Sequence, residues 1–175
     1  MPAVIRPAAR EDLPAVAAIY DRIHDAEEAG RITTGWIRGV YPTEATARAA
    51  LAARDLYVLR ADGRAVASAR INHAQMPEYA RVPWRFPAPE DEVLVLHTLT
   101  VDPAFSGRGY GRLFLEFYEA LALERGCRAL RMDTNARNAA ARAMYAHHGY
   151  FESGIIPTVF NGIPGVDLVC LEKPL

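Results

Sequence analysis

Apolar and polar positions along this 175-residue chain switch between two periods, and the switches mark its elements. Residues 93–101, VLVLHTLTV, form a nearly unbroken apolar run of strand length, as expected of a strand covered on both faces. After a turn holding Gly107, Gly109 and Gly111, the pattern changes. Phe114, Phe117, Tyr118 and Leu121 recur at helical spacing until Gly126 stops them. The same reading predicts a short strand at 3–6 and a helix at 11–29, opened by Asp12 and Pro14 and closed by Gly30. A short helix or loop is expected at 32–40 and a helix at 44–53. Strands at 56–60 and 65–72 flank Asp62-Gly63, a strong hairpin signal. Residues 76–90 carry Pro77, Pro83, Pro87 and Pro89 and read as an irregular insertion. Strands follow at 129–133, 150–156 and 166–171, with Asn161-Gly162 punctuating the last connection. Without repeats or low-complexity tracts, this alternation predicts one α/β domain over residues 1–175, a mixed sheet with helices on both faces.

The glycine turn is the first candidate for chemistry. Glycines at a strand-to-helix turn let a ligand approach the backbone closely. The first N–H groups of the following helix lack internal partners and carry the positive end of its dipole, which makes an anion site. A phosphate or pyrophosphate is the expected anion. Gly107, Gly109 and Gly111, with Asp133 about twenty residues on, partly match a dinucleotide fingerprint. Arg112, however, stands where that fingerprint needs a third small residue, and the turn lies past the middle of the chain. A purely structural loop is the other alternative.

A second segment, NAAARAMYAHHGY at 138–150, reads as a helix capped by Asn138 and ended by Gly149. Asn138, Ala141 and Tyr145 lie at i, i+3 and i+7 and share a face. Two hydrogen-bonding side chains flank a small residue there, a shallow track for a ligand. A helix merely packed through Ala141, Met144 and Tyr145 would read the same way.

Together these segments resemble the GNAT superfamily of N-acetyltransferases. Its phosphate-binding pattern is Gln/Arg-x-x-Gly-x-Gly/Ala after a strand of the type Leu-x-Val-x-Pro; here the strand holds Leu99, Val101 and Pro103, and the turn runs from Ser106 to Gly111. The downstream Asn-x-x-Ala-x-x-x-Tyr and Gly-Tyr/Phe pattern is matched by Asn138, Ala141, Tyr145, Gly149 and Tyr150. Ser106 departs from the usual Gln/Arg. The close match covers roughly residues 93–151. The resemblance implies a central mixed, mostly antiparallel twisted sheet of six to seven strands. It also implies acetyl transfer from acetyl-CoA to a primary amine, a small molecule or a peptide, by direct attack in a ternary complex.

By motif position, the resemblance gives the Leu99 N–H the task of polarising the thioester carbonyl, and Val101 that of pairing with pantetheine. Ser106, Gly107, Arg108, Gly109, Tyr110 and Gly111 would hold the pyrophosphate, with Arg108 and Arg112 supplying charge. Asn138 would touch the pantetheine arm, and Tyr145 would protonate the departing thiolate. Donors aimed at the developing oxyanion matter because charge grows there in the transition state. For the general base, His97 and Glu92 compete, with His73 a third choice. Strict alternation puts His97 on the face of Leu99 and Val101, where it would equally serve as a hydrogen-bonded core histidine.

Composition narrows the alternatives. The net charge of −1 argues against general nucleic-acid affinity, whereas residues 106–142 hold an excess of Arg that suits a polyphosphate or a solvated helical face. The histidines and the two cysteines lack metal-ligand spacing, so no metal is expected. Cys127 and Cys170 read as buried thiols of a reducing compartment. With no signal pattern and no membrane-length apolar run, a cytoplasmic protein that engages neither membrane nor nucleic acid is expected. Glu28, Trp36, Tyr41 and Trp84 are the acceptor-side candidates, although tryptophans under a long loop also serve packing and acidic groups also face solvent. A homodimer through the final strands is left open. The runner-up function is a non-catalytic acyl-CoA-binding sensor or regulatory module; a nicotinamide-dependent reductase is more distant.

Overall fold

The computed structural model describes residues 2–175. Among the described residues, seven strands form one sheet in the order β1-β2-β3-β4-β5-β7-β6. They are β1 (Val4–Pro7), β2 (Leu56–Ala61), β3 (Arg64–Asn72), β4 (Val93–Val101), β5 (Ala129–Asn135), β6 (Phe151–Phe160) and β7 (Ile163–Pro174). Four α-helices accompany them among the described residues: α1 (Leu13–Glu28), α2 (Glu44–Ala52), α3 (Tyr110–Glu124) and α4 (Ala139–His147). All neighbouring strands run antiparallel except β4 and β5. No helix among the described residues is long and apolar enough to cross a membrane.

The sheet separates two apolar layers. On one face Leu94, Leu96, Leu130 and Met132 pack against Phe114, Leu115 and Tyr118 of α3 and Tyr145 of α4. Val93, Val95, Ala129 and Cys170 turn to the other face, under Tyr79 and Val82 of the proline-rich insertion. There α1 and α2 pack together through Val16, Tyr20, Ala47 and Ala50. Burying these side chains is the main stabilising term, worth roughly 1.5–3 kcal/mol for each large one.

The predicted elements are present, with shifted ends. The segment at 32–40 is irregular, closed by a bridge between Ile37 and Tyr41, and the insertion forms only short 3-10 turns at Pro77–Arg81 and Glu90–Glu92. The last hairpin is longer than periodicity suggested, because β6 and β7 pair up to the turn at Asn161-Gly162. Pro157 is tolerated within β6 because that strand is at the edge of the sheet.

Two irregularities in β4 shape the molecule. First, β4 pairs with β5 only from Val93–Ala129 to Leu96–Met132, so their C-terminal halves diverge. Second, the β3–β4 register shifts between the Ser68–Thr100 and Arg70–His97 pairs. Thr98 sits in that shift at φ 51°, a left-handed conformation uncommon for a β-branched residue. The extra residue inverts the alternation beyond it. Leu99 and Val101 therefore pack on the layer of Leu94 and Leu96, not on the side of His97. Strict alternation would have grouped His97 with both, and the bulge corrects that expectation.

Candidate active site

The divergence of β4 from β5 opens a cavity of about 590 Å3. It passes through the sheet: Ile23, Trp36 and Tyr41 line it from the α1 side, Met144 and Tyr145 from the α4 side. Leu99 and Val101 form one flank, and Asp133, Thr134 and Asn135 the other. Pairing stops at Leu96, so the β4 edge beyond it faces the gap instead of a neighbouring strand.

At one end of the cavity lies the glycine turn. Asp102 opens it, accepting a 3.0 Å hydrogen bond from the Ala104 N–H, and is tied to α1 by Arg22 through contacts of 2.7–3.0 Å. Gly107 and Gly109 have φ of 76° and 78°, and Gly109 is the N-cap of α3. A Cβ added at either would meet no atom within 4 Å, so open space lies before the helix N-terminus. A phosphate could approach these amides closely. Gly111 has another role: a Cβ there would come within 3.0 Å of Met144 Sδ, so its small size lets α3 pack beside α4. Ser106, Gly107, Gly109, Tyr110, Gly111 and Arg112 all border the cavity. Arg108 does not; its guanidinium lies over the Phe105 ring, 5.1 Å from the centroid.

The α4 track is built as its spacing predicts. Asn138 Oδ1 accepts from the Ala141 N–H at 3.2 Å, and Asn138, Ala141 and Tyr145 line the cavity. Tyr145 is only 6% exposed and stacks edge-on to Tyr150, with centroids 6.2 Å apart. No group among the described residues hydrogen-bonds its hydroxyl. Burial, with a contribution from Asp133, pushes that phenol well above its ordinary pKa, so it stays protonated at neutral pH.

Asp133 lines the cavity, although the sequence reading did not single it out as a candidate base. It lines the gap at the point where β5 leaves β4, and its Oδ2 accepts a 2.7 Å hydrogen bond from the Tyr79 hydroxyl. Burial pushes its carboxyl up to about 7, with Glu78 acting the same way and the Tyr79 hydrogen bond opposing. A carboxylate so poised exchanges protons near neutrality. Its chain neighbours in an apolar strand gave no hint of this, and Tyr79 is distant in sequence.

The expected bases fare differently. His97 faces a second cavity, on the α1–α2 side of the sheet. Its Nε2 lies 2.9 Å from Asn72 Oδ1, an acceptor, so Nε2 carries the proton. Burial, then Arg70, lowers its pKa to about 4. Glu92 lies at the far end of β4, borders neither cavity and is ion-paired with Arg128. His73 Nδ1 is occupied by the Val93 carbonyl at 2.8 Å.

The acceptor-side residues divide as well. Trp36 and Tyr41 line the cavity in edge-to-face contact, with centroids 5.8 Å apart, and Tyr41 contacts Phe160 similarly at 5.5 Å. The Tyr41 hydroxyl is hydrogen-bonded to Thr98 Oγ1, at the bulge. Glu28 instead pairs with Arg38 at 2.9 Å on the surface. Its neighbour Glu27 orders the cavity rim by accepting from the N–H groups of Thr34 and Gly35 at 2.6 and 3.0 Å. Trp84 packs within the insertion, donating from Nε1 to the Tyr79 carbonyl at 2.9 Å, with the Arg131 guanidinium over its ring. Among the described residues no group of three or more His, Cys, Asp or Glu side chains is placed to hold a metal ion.

This architecture recurs in solved structures. A GNAT-family acetyltransferase from Streptococcus agalactiae superposes with a TM-score of 0.80 at 19% identity, covering 99% of this chain and 95% of its own. The ribosomal-protein-alanine N-acetyltransferase of Brucella melitensis gives 0.72 at 25% identity over 98% and 99%. The yncA protein of Salmonella typhimurium, solved with its cofactor acetyl-CoA, gives 0.71 at 20% identity over 99% and 94%. No curated protein sequence matches the chain. The sequence itself matches the Acetyltransferase (GNAT) family over residues 18–150, a span that takes in most of α1, all of α2, α3 and α4, and strands β2 to β5. The chain therefore belongs to the GNAT family and is an acetyl-CoA-dependent acyltransferase.

Proposed function

We propose that this chain transfers an acetyl group from acetyl-CoA to a primary amine by direct attack while both substrates are bound. The observation that carries this reading is that one through-sheet cavity joins the open N-terminus of α3 to Tyr145 and Asp133. In this reading the amides of the glycine turn hold the pyrophosphate, with charge from Arg112. Leu99 and Val101 meet the thioester and pantetheine along the unpaired β4 edge, and Asn138 meets the pantetheine arm from α4.

Asp133 takes one proton from the incoming ammonium and passes it to solvent. The amine nitrogen then bonds to the thioester carbon as the C–S bond breaks. Tyr145 donates its proton to the thiolate and is refilled by the second proton that the nitrogen loses. The balance is one amide, one free thiol and one proton released per turnover. Asp133 takes the place that the sequence offered to His97 or Glu92, because it alone of the three borders the through-sheet cavity.

The exposed Phe151, Ile155 and Val159 of edge strand β6 support pairing of two copies into a homodimer. Buried free thiols at Cys127 and Cys170 support a reducing, cytoplasmic setting. The test is calorimetric titration with acetyl-CoA, with NADH and NADPH in parallel. Saturable acetyl-CoA binding that weakens in Gly109→Asp is expected. Dinucleotide binding without acetyl-CoA binding would sink the proposal.

A further inference from the structure

The second cavity, about 370 Å3, adjoins the first and shares Tyr41, Thr98, Asp133 and Phe160 with it. Two charged side chains reach it, Asp133 and Arg70 of β3. Arg70 is poorly satisfied by the protein. Its Nε lies 3.5 Å from Asp55 Oδ2, an oxygen already accepting from Asn72 Nδ2 at 2.8 Å. Among the described residues nothing accepts from the two terminal nitrogens of Arg70, although guanidinium groups favour paired acceptors. Both charges act on the phenol of Tyr41 in the shared wall: burial raises its pKa most, the Thr98 hydrogen bond lowers it, and then Asp133 adds to the rise and Arg70 opposes it. His97, the register partner of Arg70, is neutral at pH 7 and brings no competing charge. Ala49, Ala50, Met76 and Phe160 supply apolar surface.

We infer that the acceptor is a free amino acid with an apolar side chain, its carboxylate paired with Arg70 and its amino group turned to Asp133 where the two cavities meet. This rests on the acetyl-transfer reading above and gives it a substrate class. A guanidinium with two donor nitrogens that the protein leaves unused matches a carboxylate in bidentate fashion, and an amine without that group leaves those nitrogens to solvent, with only the long Asp55 contact at Nε. The apolar walls accept the side chain without leaving polar groups stranded.

The test compares matched substrates by free-thiol release: L-leucine against isoamylamine and L-leucinamide, and L-phenylalanine against phenethylamine, in the wild type and in Arg70→Gln. The variant is checked by thermal melting and by acetyl-CoA titration, since Arg70 does not border the first cavity. A charge-assisted contact predicts roughly a tenfold or greater advantage in kcat/KM for the amino acid over its decarboxylated partner. In Arg70→Gln that ratio should collapse toward one, through a rise in KM for the amino acid. Amines or amides used as well as amino acids, or a ratio unchanged in Arg70→Gln, would overturn the inference. So would acetylation of an alanine-initiated peptide in preference to every free amino acid, or a protein that binds acetyl-CoA yet turns over none of these substrates. Failure to bind acetyl-CoA at all would instead remove the acetyl-transfer reading beneath it.

Discussion

The Tyr79 hydroxyl donates a 2.7 Å hydrogen bond to Asp133 Oδ2, joining the proline-rich insertion to the strand that borders the cavity. The bond stabilises the charged carboxylate, while burial pushes its pKa up to about 7. A base must be unprotonated, so kcat/KM should rise with pH through an inflection near that value. Tyr79→Phe removes the opposing hydrogen bond and should move the inflection upward. His97→Gln should keep it, since burial holds His97 near 4, well below that range. Asp133→Asn should abolish it and lower the rate by ~10²–10⁴. A pH profile that keeps its inflection in Asp133→Asn would hand the role to another group.

The same carboxyl makes stability depend on pH in a known direction. Its folded pKa, about 7, exceeds its ordinary value of 3.8, so the folded state binds more protons between those values. Stability from this group is therefore present at low pH and lost as pH rises across that window. Asp133→Asn should be more stable than the wild type at pH 8 by up to about 4 kcal/mol, read as a higher melting temperature, and the difference should shrink toward pH 4. Equal melting at pH 8 would show that the carboxylate is not strained by its burial.

Tyr145→Phe deletes a hydroxyl that bonds no group among the described residues. Folding and acetyl-CoA affinity should therefore stay close to wild type, while kcat falls by ~10²–10⁴. Stopped-flow thiol release beside calorimetry separates the two effects. Unchanged kcat would remove Tyr145 from the proton pathway.

Arg22 is the ionic partner of Asp102, which is only 2% exposed and also caps the turn at Ala104. Arg22→Met leaves that charge buried without its cation, at a cost of roughly 1–3 kcal/mol. Because Asp102 opens the segment leading to the glycine turn, KM for acetyl-CoA should rise more than kcat falls. A stability loss with unchanged KM would confine the pair to the fold.

Much of the site was legible because its information is local. Gly107, Gly109 and Asn138 are placed on the cavity by their own backbone or by the helix end they form, so residue type and spacing suffice to find them. Tyr145 shares a helical face with Asn138, which follows from 3.6 residues per turn. Trp84 could not be assigned that way, because a tryptophan near prolines reads alike under a loop or in a pocket. Its Arg131 and Tyr79 contacts decided for packing.

The chain's own pattern determined the elements, the glycine turn and the α4 track, since each follows from periodicity, capping and the lack of a Cβ. Tertiary structure alone decided which groups meet. A left-handed Thr98 inverts the phase of β4, sending His97 to one face and Leu99 to the other. The early end of β4–β5 pairing opens the sheet beside Asp133. Tyr79 then reaches that carboxylate from another part of the chain. Burial and long-range partners set a proton affinity, and neither is carried by a residue's own neighbours in sequence.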